Sequence, residues 1–82
     1  MQLLVLTPEK EIYNGSVDSV QLPGNDGKFE ILNGHAPIVA SLVKGSVRII
    51  KSGGEKKTFH IEKGFVEVLR DEVSLLVQGV EE

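Results

Sequence analysis

Apolar and polar positions alternate along this chain in short runs, and glycine and proline cut the runs at close intervals. Most stretches free of both residues are six to nine residues long, a length that suits strands and is short for helices. Residues 2–6 form an apolar first strand, stopped by Thr7-Pro8. Glu9–Tyr13 reads as a second strand ended by Asn14-Gly15, a hairpin-turn dipeptide. Over Ser16–Leu22 the apolar residues Val17, Val20 and Leu22 step by three and then by two. Strict alternation fails there, which predicts a bulge near Asp18-Ser19. Lys28–Leu32 alternates cleanly, with Phe29 and Ile31 on the core side and Lys28 and Glu30 opposite. Ile38–Val43 follows a proline and leaves it extended. Ser46–Lys51 turns Val47 and Ile49 inward and Arg48 outward, and a Ser52-Gly53-Gly54-Glu55 turn follows. In Lys57–Glu62, Phe59 and Ile61 share one face while Thr58, His60 and Glu62 share the other.

Phe65–Gln78 is ambiguous, because its fourteen residues contain no Gly or Pro. Phe65, Leu69, Val73, Leu76 and Val80 fit a helical stripe. The competing reading is a hairpin, Phe65–Leu69 and then Val73, Leu75 and Val77, turning at Arg70-Asp71-Glu72. Four valines in the run favour the hairpin, since β-branched side chains suit a pleated surface better than a helix. The expected fold is all-β, a β-sandwich or flattened barrel of about nine short, mostly antiparallel strands.

Eighty-two residues make one domain with a thin core, one that buries roughly 60–65% of its unfolded surface. There is no cysteine, which fits a reducing compartment. The net charge is −3 and the nine basic residues are scattered. Nucleic-acid binding leaves a basic stripe, so no nucleic-acid partner is expected. The N-terminal apolar run is short and lacks the basic flank of a signal peptide. No stretch approaches the ~18–20 apolar residues of a membrane span. The expectation is a soluble intracellular protein, free to work beside a membrane within something larger.

Catalytic chemistry has little to draw on. A zinc site needs three or four converging ligands, and the chain offers His35, His60 and carboxylates on separate turns. No serine lies in a nucleophile elbow. The pairs Glu9/Glu11 and Asp71/Glu72 read as solvated positions. Gly24-Asn-Asp-Gly27-Lys28 is too short for a phosphate loop, lacks the following Ser or Thr, and leads into a strand. His35 reads either as a turn histidine bonding nearby backbone or as a protein–protein contact; an enzyme would need a carboxylate beside it. No metal or cofactor is expected. A small module with this inventory binds something or joins an assembly, and Leu32, Val39, Leu42, Leu76 and Val80 are candidates for a surface patch.

Gly27-Lys-Phe-Glu-Ile-Leu-Asn-Gly34-His35-Ala36-Pro37 resembles the signature of the epsilon subunit of bacterial F-type ATP synthases. Leu6–Gly15, Val17–Val20, Leu22-Pro-Gly24, Val43–Ile49, Lys63–Val68 and Asp71–Val77 extend the likeness over essentially the whole chain. The resemblance implies an N-terminal domain over residues 1–82 that is a flattened β-sandwich of about ten strands, raising the expected count to nine to ten, and a non-catalytic rotor subunit of the central stalk. It implies partners too: the gamma subunit, the c-ring and, indirectly, the alpha/beta catalytic head. The location implied is peripheral, on the cytoplasmic side of the bacterial inner membrane.

Carried over by position, Asn25, Asp26, Gly27 and Lys28 face the c-ring, while His35, Ala36, Pro37, Val39, Ala40 and Leu42 belong to the gamma-facing side. Many relatives have an acidic residue where this chain has Lys28, so the charge offered to the ring differs. Most bacterial relatives continue into a helical hairpin that inhibits ATP hydrolysis. This sequence stops at Glu82, where that hairpin would begin, either as a naturally short subunit or as a truncated one, and neither that inhibition nor ATP binding is expected of it. From another class, the alternative is a free-standing ligand-binding β-module, which needs a concave apolar pocket away from the gamma-facing side.

Overall fold

The computed structural model describes all 82 residues. They form eight strands: β1 (Gln2–Leu6), β2 (Glu11–Gly24), β3 (Gly27–Leu32), β4 (Ile38–Leu42), β5 (Gly45–Lys51), β6 (Lys56–Ile61), β7 (Lys63–Leu69) and β8 (Glu72–Gln78). Hydrogen-bonded order is β1-β8-β7-β4-β2-β5-β6, with β3 on β2 and a further pairing of β1 to β2. Strands β1, β8, β7, β4 and β2 therefore close a circuit, and β3, β5 and β6 extend it into a flattened sandwich. All pairings are antiparallel except β1 with β8, which is parallel.

The strand count falls below expectation because two predicted strands are one. Asn14-Gly15 makes no turn: β2 runs through it, with Leu4 opposite Asn14 and Leu3 opposite Gly15. The turn signal is local, and cross-strand partners outweigh it. Asn14 Oδ1 accepts a bond from Gln2 Nε2 at 2.9 Å, so its side chain is used across the ladder and not to close a turn. The Tyr13 side chain lies over Gly15, where an added Cβ would meet its hydroxyl at 3.0 Å. Reversal happens earlier, at Thr7–Lys10. There Thr7 N–H donates to the Lys10 carbonyl at 2.8 Å, and Thr7 Oγ1 accepts from the amides of Glu9 and Lys10.

The expected bulge is present. Opposite β5 the register shifts between Val17 and Ser19, leaving Asp18 as the extra residue. Residues three apart in a regular strand face opposite ways, yet Val17 and Val20 are both fully buried. Fourteen residues of strand would extend about 46 Å if straight, whereas the longest dimension of the molecule is 27 Å. β2 must therefore bend. Its first half pairs β1 and its second half pairs β3 and β5.

Sixteen buried apolar side chains make one core, with Phe59 the largest fully buried. Val47, Ile49, Phe59, Ile61 and Ile31 are inside as their alternation requires. Phe29 is only partly buried against that core, near the β2–β3 turn. The last stretch is a hairpin, β7 and β8, with Arg70 and Asp71 at φ 52° and 62° in its turn. Val66, Val68, Val73, Leu75 and Val77 face in.

Gly64 on β7 pairs with Leu42 and Val77 at a point of close strand approach. A Cβ there would lie 2.6 Å from the Leu76 carbonyl oxygen and 2.9 Å from Val77 Cγ1. Backbone cannot swing aside as a side-chain tip can, so Gly64→Ala must spread β7 from β8. Overpacking of this kind costs about 1–3 kcal/mol, and each kcal/mol lowers Tm by roughly 4–8 °C in a domain of this size. Thermal unfolding followed by circular dichroism checks it; an unchanged Tm would show that the strands separate freely.

Candidate functional site

The Asn25–Lys28 turn is the tip of the β2–β3 hairpin. Gly24 and Gly27 are its last pair, Asn25 and Asp26 span the apex, and Gly27 closes it at φ 116°. The base is held firmly. Val43 N–H donates to the Pro23 carbonyl at 3.0 Å, Gly24 pairs with Leu42, and the Phe29 ring lies against Gly24. Asn25 Nδ2 donates to Ser41 Oγ at 3.5 Å, a weak tie. All four tip residues are exposed, and neither Asp26 nor Lys28 joins an ion pair. A stiff base thus presents one carboxylate and one ammonium to solvent.

The corner before β4 is the second predicted contact. His35 N–H donates to the Leu32 carbonyl at 3.1 Å, and its Nδ1 lies 2.6 Å from the Ala36 carbonyl oxygen. Of the two open readings of His35, the ring is seen bonding local backbone. No carboxylate hydrogen-bonds to it, so the arrangement an acid/base enzyme would need is not formed. Ala36 and Pro37 are exposed and His35 is half-buried.

Along β4 the period-two pleat divides the remaining residues. Val39 is 75% exposed, whereas Leu42 is 4% exposed and Ala40 packs against the core. Ala40 and Leu42 thus lie on the inward side of the β4 pleat, Leu42 within the core and Ala40 half-buried against it. Leu42 also leaves the predicted surface patch, and Val80 is only partly exposed. Leu32 is exposed and lies on β3 beside Ser19, at the start of the connection whose His35 N–H bonds its carbonyl.

Val39 and Leu76 are exposed as the sequence reading has them, but that reading misses Phe65, which lies between them. On the outer side of β4, β7, β8 and β1, register aligns Ser41, Phe65, Leu76 and Leu6 in one row. Val39, Glu67, Ser74 and Leu4 form the next. Phe65 is 59% and Leu76 53% exposed. A groove of about 650 Å³ runs beside Leu6, Ser41, Phe65 and Leu76, and a second of about 370 Å³ shares Phe65 and Leu76 and reaches Val39. The available signal was alternation within Phe65–Leu69: once Val66 and Val68 face in, Phe65 must face out. β4 joins this face to both predicted contacts, since Ile38 lies next to the His35 corner and Leu42 next to Gly24.

Chemically, the surface offers apolar area and isolated charges. No group of three or more His, Cys, Asp or Glu side chains is placed to hold a metal ion. His60 is exposed, and its backbone bridges to Glu81.

The model of the ATP synthase delta/epsilon chain β-sandwich domain matches residues 1–82. The chain is 43% identical over 79 residues to the ATP synthase epsilon chain of Chlorobium limicola, covering 96% of this chain and 90% of that relative. It is 47% identical over 77 residues to the epsilon chain of Leptospira borgpetersenii, covering 93% of this chain but 59% of the longer relative. Among solved structures, a chain of the Euglena gracilis mitochondrial ATP synthase superposes with a TM-score of 0.87 at 23% identity, over 96% of this chain and 51% of that one. A chain from the central stalk and c-ring of the Tetrahymena thermophila mitochondrial enzyme gives 0.84 at 21% identity, over 100% and 66%. These two likenesses show the fold. With the match over its full length and the identity to relatives of similar size, this chain belongs to the ATP synthase delta/epsilon family, as its β-sandwich domain.

Proposed function

We propose that the chain is a non-catalytic rotor subunit of the ATP synthase central stalk, gripping the gamma subunit with one face and meeting the c-ring with one turn. Family membership supports the assembly. The observation that carries the gamma contact is the apolar face around Val39, Phe65 and Leu76, continuous along β4 with the His35-Ala36-Pro37 corner. Monomeric proteins seldom leave such large apolar side chains clustered on one face, and a small rigid body in a stalk has reason to.

The Asn25–Lys28 turn suits the ring. Passing torque requires two contacts on a body that does not shear between them, and the pairing of β2, β4 and β7 supplies that stiffness. Asp26 and Lys28 are exposed, so their contribution to ring contact is screened over roughly 8–10 Å at ordinary ionic strength. The charges set register at close range and do not act as a distant steering field. In this reading the chain is peripheral to the membrane, on the cytoplasmic side of a bacterial inner membrane. The alternative, a free-standing ligand-binding module, gains nothing from the grooves, which open on the same face of β4, β7 and β8.

Co-purification with the gamma subunit of the same organism tests the proposal, and failure to associate would sink it. Phe65→Glu puts a charge in the middle of the apolar face. It should weaken gamma binding at least tenfold, about 1.4 kcal/mol, while Tm stays close to the parent because the site is exposed. Lys28→Glu should leave gamma binding and Tm unchanged and lower the protons pumped per ATP hydrolysed in reconstituted vesicles. Equal pumping by parent and variant would remove Lys28 from the ring contact.

A further inference from the structure

At the end of β4 away from the Asn25–Asp26 turn, three chain segments meet. The first is the connection Asn33–Pro37, the second the chain start at Met1-Gln2, and the third the Arg70-Asp71 turn. The connection holds itself weakly: the only backbone–backbone bond in the turns and loops that involves it is His35 N–H to the Leu32 carbonyl. Beyond the local contact of the His35 ring with the Ala36 carbonyl, its other ties come from far along the chain. The Met1 ammonium donates to Asn33 Oδ1 at 2.8 Å and to the Val17 carbonyl at 3.2 Å. Gly34 N–H donates to Asp71 Oδ1 at 3.2 Å, across thirty-seven residues of sequence.

Asp71 is unusually placed to provide that tie. It sits at φ 62° in the β7–β8 turn, a left-handed conformation that Asp and Asn tolerate better than most residues. Its own carbonyl accepts the Gln2 N–H at 2.9 Å, which fixes the turn to β1. The carboxylate is thereby aimed at Gly34 from a backbone anchored on one side by β1 and on the other by the β7–β8 pairing.

We propose that Asp71 is a positioning residue for the His35-Ala36-Pro37 corner, holding the corner in its gamma-binding shape from a turn that itself need not touch gamma. The proposal rests on the reading of that corner as part of the gamma contact. Its physical basis is preorganisation: a connection already held in its bound shape loses less conformational freedom on association. One residue meets two demands here, a left-handed backbone and an acceptor for Gly34. The demands can be separated, because Gly keeps the first alone and Asn keeps both.

The experiment compares the parent chain with Asp71→Gly and Asp71→Asn, reading Gly34 amide exchange by NMR, thermal stability, and affinity for the gamma subunit of the same organism. In Asp71→Gly, Gly34 exchange should quicken while Tm is kept or raised, and gamma binding should weaken by about three- to tenfold, the worth of one hydrogen bond. Asp71→Asn should match the parent in all three. Unchanged Gly34 exchange in Asp71→Gly overturns the positioning role, and so does quickened exchange with undiminished affinity. A parent chain that fails to bind gamma at all overturns the gamma reading instead, and leaves Gly34 exchange to decide whether Asp71 holds the corner.

Discussion

The fold depends on β2 being shared. A single strand of fourteen residues serves first as a partner of β1 and then as the centre of β3 and β5. It can do so only because the extra residue at Asp18 bends it and resets which side chains point inward. Without that reset Val17 and Val20 would face opposite ways, and one of two fully buried valines would leave the core. In a domain with only sixteen core side chains, such a loss is a large fraction of a small stability. The hairpin tip, the corner and the outer apolar face all hang from strands that pair with β2 or lie one strand beyond it.

From this constraint the surfaces acquire their relation to one another. β4 is short, and its two ends lie beside the hairpin tip and the His35 corner. Its outer side carries Val39 and Ser41 and its inner side Ile38, Ala40 and Leu42. A contact at one end is therefore linked to a contact at the other by a strand that is paired to β7 along its whole length and touches β2 at its end. The paired strands join two differently made surfaces, one of exposed charge and one of exposed apolar area.

How much of this could be read beforehand follows the range of the interactions. Period-two alternation is local, so the inward sets of β5, β6 and β8 were legible, as was the broken step at Val17–Val20 that marks the bulge. Asn14-Gly15 misled because a turn dipeptide reports a local preference, and Leu3, Leu4 and Gln2 opposite it are not visible as partners in a linear sequence. Neither family likeness nor apolar character separates Ala40 and Leu42 from Val39; the period-two pleat of β4 does, with Leu42 buried and Val39 exposed. Phe65 follows from the same alternation, since Val66 and Val68 beside it take the inward positions of β7. The bond between Gly34 and Asp71 has no periodic signature, since it joins a loop to a turn thirty-seven residues away. Family likeness, in contrast, was carried by turn residues and short motifs, and those are what the whole-length match reflects.

The parallel register of β1 and β8 has a mechanical meaning. Gln2 lies opposite Glu72 and Leu6 opposite Leu76, so β1 begins at the end where β8 begins, and β8 leaves at the other. A pull that separates the outer ends of these two strands slides one along the other. Every slanted bond of the ladder is then loaded at once, a shear geometry. An antiparallel pair pulled from one end would instead open bond by bond, as a zipper does. In the proposed reading, a body turned by one neighbour against the drag of another meets force of changing direction, and the parallel β1–β8 seam is the part that resists lengthwise load collectively.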